Sequence, residues 1–222
     1  MLFANRVDAG RQLARRLECF RGIDIVVLGL PRGGVPVAYE VAQALDAPLD
    51  VIVVRKLGVP RQPELGMGAI GEDGVRVLSP DVVRRAAVGE ADISTVETRE
   101  RVELERRAVT FRGNRQRVSV EGKTVLIIDD GIATGSTARA ACRVARAHGA
   151  ARVVLAVPVA PSDWREQLAN EADELICLDT PANFFAVGQW YADFSQTSDE
   201  EVVDCLERRA AATGPSPPTE LS

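Results

Sequence analysis

Short runs of aliphatic and β-branched residues punctuate the chain at 24–30 (DIVVLGL), 49–54 (LDVIVV), 124–129 (TVLIID), 152–159 (RVVLAVPV) and 174–178 (ELICL). They are continuously apolar rather than alternating, the pattern of strands buried on both faces. Helical periodicities accompany them at 8–20, 35–45, 137–147, 163–172 and 199–209. This alternation predicts an α/β fold, a central five-stranded parallel sheet with helices on both faces. Ligands of such folds sit at the carboxyl ends of the strands, close to where the strand order reverses. Functional residues are therefore expected directly after each strand.

The stretch 55–123 interrupts the alternation with structure of its own. A hairpin is predicted over 67–78, its turn signal Glu72-Asp73-Gly74 lying between Gly68-Ala69-Ile70 and Val75-Arg76-Val77-Leu78. Residues 92–112 read as a charged helix with pairs such as Glu97/Arg101 and Glu103/Arg107. Two readings of that helix stay open: a solvated or dimer-contacting face, and one that turns some arginines toward phosphate. One domain is expected over 1–210, with an insertion at about 57–122 and a small C-terminal hood at about 180–197. The Pro/Ser/Thr-rich end, 211–222, is expected to be a disordered tail.

Composition narrows the chemistry. The formal net charge of −5 argues against bulk nucleic-acid coating, and 5% aromatics leave little to stack single strands on. A single histidine, His148, rules out His-Cys metal cages and HExxH zinc sites; its place in RAHGA suits a helix C-terminus. Cys19, Cys142, Cys177 and Cys205 are widely spaced, with no CxxC, as in a reducing cytoplasm. No signal peptide and no apolar stretch of about 20 residues is visible. A cytoplasmic protein without membrane or nucleic-acid partners is expected.

Two glycine-rich patterns are decoys. Gly66–Gly71 fits G-x-G-x-x-G, but Pro63-Glu64-Leu65 before it reads as no strand and Gly71 runs into a turn. Gly122-Lys123-Thr124 resembles the end of a P-loop, yet Arg117 stands where the first glycine is needed. The specific signal is 125–137, VLIIDDGIATGST. An apolar strand ends in Asp129-Asp130, a loop follows through Ala133, Thr134 and Gly135, and Ser136-Thr137 open a helix. Gly135 allows close backbone approach, and loop N–H groups with the helix N-terminus make an anion cradle. The hydroxyls of Thr134, Ser136 and Thr137 add donors. The two carboxylates can accept hydrogen bonds from vicinal sugar hydroxyls, or hold Mg²⁺ directly or through water. Together these make a ribose-phosphate site.

This segment resembles the motif with which type I phosphoribosyltransferases bind 5-phosphoribosyl-1-diphosphate (PRPP). Leu30-Pro31-Arg32-Gly33-Gly34 is similar to the family's pyrophosphate loop, where a cis non-proline peptide is typical. Arg55-Lys56 resembles the Arg-Lys pair of orotate phosphoribosyltransferases, so that 57–68, with Arg61, corresponds to the flexible catalytic loop. Residues 183–194 (NFFAVGQWYADF) resemble the hood of hypoxanthine-guanine phosphoribosyltransferases. The resemblance implies Mg²⁺-dependent transfer of the phosphoribosyl group to a nitrogenous base, with release of pyrophosphate. Asp129, Asp130 and Lys56 are then the catalytic candidates. PRPP contacts are implied for Arg32, Gly33, Gly34, Arg55, Lys56, Arg61, Asp129, Asp130, Ala133, Thr134, Gly135, Ser136 and Thr137. Phe185, Val187 and Trp190 are candidates for the acceptor, and Asp193 joins Asp129 and Asp130 for the metal. A homodimer is expected. The pattern departs from the 6-oxopurine enzymes at Ala133, where they carry an acid, and at Val159-Ala160-Pro161, where they carry a lysine. The acceptor is therefore expected not to be hypoxanthine or guanine. The rival from another class is a regulator that senses PRPP or a nucleotide without turnover.

Overall fold

The computed structural model describes residues 2–213. Helix α1 (Arg6–Arg16) is capped by Asn5, whose side chain accepts the Asp8 N–H at 3.0 Å, and a 3₁₀ turn (Glu18–Phe20) follows. The chain then runs β1 (Ile25–Gly29), α2 (Gly34–Leu45), β2 (Leu49–Val51), β3 (Val54–Val59), β4 (Gln62–Gly71), β5 (Arg76–Leu78), α3 (Pro80–Arg85) and α4 (Glu90–Arg112). It continues with β6 (Thr124–Ile128), α5 (Ser136–Ala147), β7 (Arg152–Val159), α6 (Trp164–Leu168), β8 (Glu174–Asp179) and α7 (Asp199–Thr213). Five strands form one parallel sheet in the order β2-β1-β6-β7-β8. This is the α/β architecture that the sequence predicts.

The continuous apolar runs are explained by helices on both faces. Leu126 and Ile128 of β6 belong to the core cluster that includes residues of α1, α2, α4 and α7, whereas Val125 and Ile127 belong to the one that includes residues of α5 and α6. Each such side chain contributes roughly 1.5–3 kcal/mol on burial. Helix α6 is shorter than the expected 163–172: after Leu168 the chain turns, and Glu171 is held by Arg143 through two bonds of 2.7 and 2.8 Å. His148 caps the end of α5, as expected.

The insertion is more ordered than the sequence suggests. The second apolar run leaves the parallel sheet after Val51, and from Val54 it enters a separate antiparallel sheet, β3-β4-β5. Residues 57–68, read as a flexible loop, are therefore mostly paired strand, with Pro60-Arg61 at the tip. Register shifts beside Gly58 hide the alternation that would have revealed it. The hairpin expected over 67–78 is present as β4–β5. Gly66–Gly71 lies within β4, so the dinucleotide fingerprint has no phosphate turn behind it. Buried Arg112 at the end of α4 locks the insertion to the sheet: it donates to Asp50 at 3.1 Å, to the Val51 carbonyl at 3.2 Å, and to Glu72.

The hood contains a 3₁₀ turn (Val187–Trp190) and is completed by the N-terminal segment. Phe3 donates to the Trp190 carbonyl at 2.8 Å and accepts from Ala192 at 2.8 Å, while Asp193 N–H reaches the Ala4 carbonyl at 2.9 Å. Helix α7 runs to Thr213, past the expected end at Arg209 and into the segment expected as a tail. The rest of that tail, 214–222, lies outside the described residues.

Candidate functional site

Strands β1 and β6 are neighbours at the point where the sheet order reverses, and Gly29 pairs with Ile128, so both end level. The loops that follow them share one crevice. After β1, Leu30 N–H donates to the Ile128 carbonyl at 2.8 Å and the Pro31–Arg32 peptide is cis. Gly33 and Gly34 then pass against the acids after β6 with no room to spare. A Cβ on Gly33 would stand 2.0 Å from Asp130 Oδ2, and one on Gly34 would stand 2.8 Å from the Asp129 Cα. Glycine is needed here for close approach.

Asp129 and Asp130 are half-buried at the end of β6. Asp129 Oδ1 accepts the Asp130 N–H at 2.9 Å. Asp130 Oδ2 accepts from Arg6 Nε at 2.8 Å, and its carbonyl accepts from the Tyr191 hydroxyl at 2.6 Å. Burial, then the charge of Asp130, pushes the Asp129 carboxyl well above its ordinary range. Burial also raises Asp130, against the pull of Arg6. One guanidinium thus faces two carboxylates. That shortfall of positive charge fits a divalent ion shared with ligand phosphates, since Mg²⁺ commonly takes one or two carboxylates plus substrate oxygens. An all-protein cage is not available: no group of three or more His, Cys, Asp or Glu able to hold a metal occurs among the described residues. Asp193 is exposed and accepts the Ser195 N–H at 2.9 Å.

The phosphate-type loop leads into α5 through Gly135 at φ +67°, and Ala133, Thr134 and Thr137, before and after it, are exposed. Lys56 reaches it from β3, its Nζ donating to Ser136 Oγ at 3.0 Å, and Thr134 Oγ1 lies 3.2 Å from the same oxygen. Arg55 lines the adjoining cavity, but its guanidinium is engaged by Glu100 of α4 at 2.5 and 2.9 Å. Arg61, at the hairpin tip, lines a different cavity against α3 and α4. Arg32 is exposed and pairs with Asp199 at 2.8 Å. In the hood, Val187 packs on Gly131, where a Cβ would meet its Cγ1 at 2.6 Å. Trp190 packs beside Phe3 and Tyr191, and Phe185 projects 83% exposed.

The sequence reading missed Arg6. Its Nη1 also donates to the Ser195 carbonyl at 2.6 Å, and its guanidinium lies 4.0 Å over the Phe194 ring. Nothing separates Arg6 by sequence from Arg11, Arg15 or Arg16 on the same helix; only the tertiary fold brings it to the acid pair. Glu100 was missed for the same reason.

Residues 5–194 match the family model described as phosphoribosyl transferase domain. A Mycobacterium tuberculosis protein bearing the name "Putative phosphoribosyl transferase" is 62% identical over 207 residues, covering 93% of this chain and 47% of that protein. The chain thus spans about half the length of that relative. The crystal structure of TT1426 from Thermus thermophilus superposes with a TM-score of 0.87 at 42% identity, over 94% of this chain and 99% of that one. An amidophosphoribosyltransferase of Mycobacterium bovis is 28% identical over 161 residues, 72% of this chain and 24% of its own. Because the family match takes in the crevice loops, the acid pair and the hood alike, the chain belongs to the phosphoribosyl transferase domain family.

Proposed function

We propose that this protein transfers the 5-phosphoribosyl group of PRPP to a nitrogen nucleophile and releases diphosphate. The observation that carries the reading is the contact between two loops. The cis-peptide loop after β1 and the acid pair after β6 meet so closely that only glycine fits at 33. A ribose bound by the acids therefore has its C1 substituent directed at backbone able to receive a diphosphate.

In this reading Asp129 and Asp130 accept hydrogen bonds from the ribose hydroxyls. Residues 133–137 hold the 5′-phosphate, with Lys56 adding charge at Ser136. Arg32, Gly33 and Gly34 receive the diphosphate. The acceptor nitrogen attacks C1 as the bond from C1 to the diphosphate oxygen breaks, the electron pair leaves with diphosphate, and the proton of the acceptor nitrogen passes to solvent. The protein's contribution is positioning and stabilisation of the charge that grows on the leaving group. Mg²⁺ held by Asp129 and Asp130 would supply neutralisation of that charge.

Val187, beside Gly131, and the aromatic residues of the hood give a mainly apolar wall. Ala133 leaves the phosphate loop without an acid to take a proton from a purine. We assign the acceptor to nitrogen nucleophiles other than hypoxanthine and guanine.

The test is diphosphate release from PRPP and Mg²⁺ across a panel of nucleobases, with ammonia included. Turnover with at least one acceptor is expected. Tight PRPP binding without turnover on any acceptor would replace the transferase with a sensor.

A further inference from the structure

A cavity of about 690 Å³ lies between the tip of the β3–β4 hairpin and the turn from α3 into α4. That is the size of a small-molecule site, roughly 300–1,000 Å³. Val59 and Pro60 line both this cavity and the one beside Lys56, so the hairpin tip separates the two. Neither the acid pair, the cis-peptide loop nor the phosphate-type loop contributes to its walls.

The walls divide by chemistry. Val59, Leu65, Val82 and Val88 give an apolar face, on which Leu65 stays 42% exposed. Arg61 and Arg85 line the same space, and Asp92 is the one carboxylate that does, which leaves one positive charge in excess. Neighbouring arginines are neutralised: Arg55 by Glu100, Arg76 by Glu90 and Arg84 by Asp81. Arg61, by contrast, has no hydrogen bond or ion pair among the described residues. Arg85 has only the bond from its Nε to the Asp81 carbonyl at 3.2 Å, so its Nη edge is free. A free guanidinium edge beside an apolar wall suits a planar oxyanion carried on an apolar body.

The floor is set in advance. Ala87 N–H donates to the Arg84 carbonyl at 3.2 Å and Val88 N–H to the Val83 carbonyl at 3.1 Å, a paired cap that closes α3. Glycine is the usual residue at the left-handed position of such a cap, yet Ala87 occupies it at φ +50° and lines the cavity. A wall already fixed by backbone bonds loses little freedom when a ligand arrives.

We propose that this cavity binds a small organic monoanion, an apolar or aromatic body bearing one carboxylate or sulfonate, as a ligand distinct from PRPP and diphosphate. One excess positive charge matches a single anionic head, whereas a diphosphate would bring charge that two arginines facing Asp92 leave unbalanced. The inference goes beyond the transferase reading and does not depend on turnover.

The probe is anilinonaphthalenesulfonate, an aromatic monoanion whose fluorescence rises on apolar burial, titrated into the whole protein by fluorescence and calorimetry. One site is expected in the wild type. Arg61→Met and Arg85→Met should each weaken it about tenfold, the lower end for a lost hydrogen bond to a charged group. Arg84→Met, which removes the same charge from the adjacent residue outside the cavity, should change it less than about threefold. Leu65→Ser should weaken it about 3- to 10-fold through lost apolar contact. Thermal melting of each variant checks the fold. Saturating PRPP with Mg²⁺ should leave the probe bound. Displacement by PRPP, or equal affinity in the Arg84, Arg85 and Arg61 variants, would overturn the site. Concentration-dependent dimerisation abolished by Leu65→Ser, without probe binding, would give the cavity to a second copy of the chain instead.

Discussion

Gly33→Ala is a minimal perturbation with a calculable target. Gly33 sits at φ −60° and ψ −30°, a conformation any L-residue adopts, so alanine brings no backbone penalty. The cost is steric alone. The new methyl would lie 2.0 Å from Asp130 Oδ2 and 3.0 Å from Arg6 Nε, so the carboxylate must retreat by roughly 1 Å or more to reach ordinary contact. A misplacement of about 1 Å in a positioned group costs on the order of 10²-fold in rate, or about 2.7 kcal/mol. Diphosphate release should therefore fall about 100-fold, and the melting temperature by only a few degrees. Calorimetric affinity for PRPP with Mg²⁺ gives a second readout. It also permits a double-mutant cycle: in an Asp130→Ala background the clash is gone, and adding Gly33→Ala should cost almost nothing further. Full additivity of the two substitutions, or a Gly33→Ala protein that keeps more than about a third of wild-type activity, would refute the contact as the organising feature of the site.

Asp129→Asn with Asp130→Asn should leave the fold intact while PRPP-Mg²⁺ affinity drops severely; unchanged calorimetric affinity would remove both assignments. In metal-free protein, Asp129→Asn alone should raise the melting temperature at pH 7. Burial raises the folded-state pKa of Asp129, so the wild type loses stability as pH rises past the ordinary carboxylate range. The gain should vanish near pH 3, where both forms are neutral, and a gain that persists there would contradict the assignment. Arg112→Met strands Asp50 and Glu72 without their guanidinium and should cost about 3–5 kcal/mol, on the order of 10 °C in melting temperature; a loss below about 1 kcal/mol would show the triad to be dispensable. A thiol reagent at pH 8 should titrate one cysteine, exposed Cys19, in the native protein and all four after denaturation. Burial pushes Cys142 up to about 12 and Cys177 and Cys205 up to about 11, so little thiolate is available at those positions.

The parallel sheet was legible because its strands are buried on both faces, and runs such as VLII are short, β-branched and set between helical patterns. The acid pair and glycine loop were legible because they adjoin that run in sequence. What the sequence concealed arises from distance or interrupted pattern. Strand β3 carries Arg55 and Lys56 beside Leu57, and its pairing with β4 is broken by register shifts and prolines, so no clean alternation survives. Arg55 looked free until the fold brought Glu100 to it from 45 residues away. Arg6 meets Asp130 across 124 residues, and no local spacing encodes that contact. The two readings of helix α4 could not be separated by charge alone. Its Thr95, Val96, Arg99, Glu100 and Arg107 line the cavity beside Lys56, while Val102 and Val109 face outward, 67% and 68% exposed.

The backbone bonds between residues 3–4 and residues 190–193 have a consequence for how this domain can be cut or joined to others. A fragment beginning just after Arg6 would still contain every residue of the PRPP-type motif. It would nevertheless lack the strand-like edge on which the hood rests, the Phe3 ring packed 5.3 Å from Tyr191, and the guanidinium beside Asp130. Boundaries drawn around the motif alone would thus yield a chain that looks complete on paper and has an open, uncompensated crevice. In any fusion, the few residues ahead of α1 belong to the site as fully as the loops after β1 and β6.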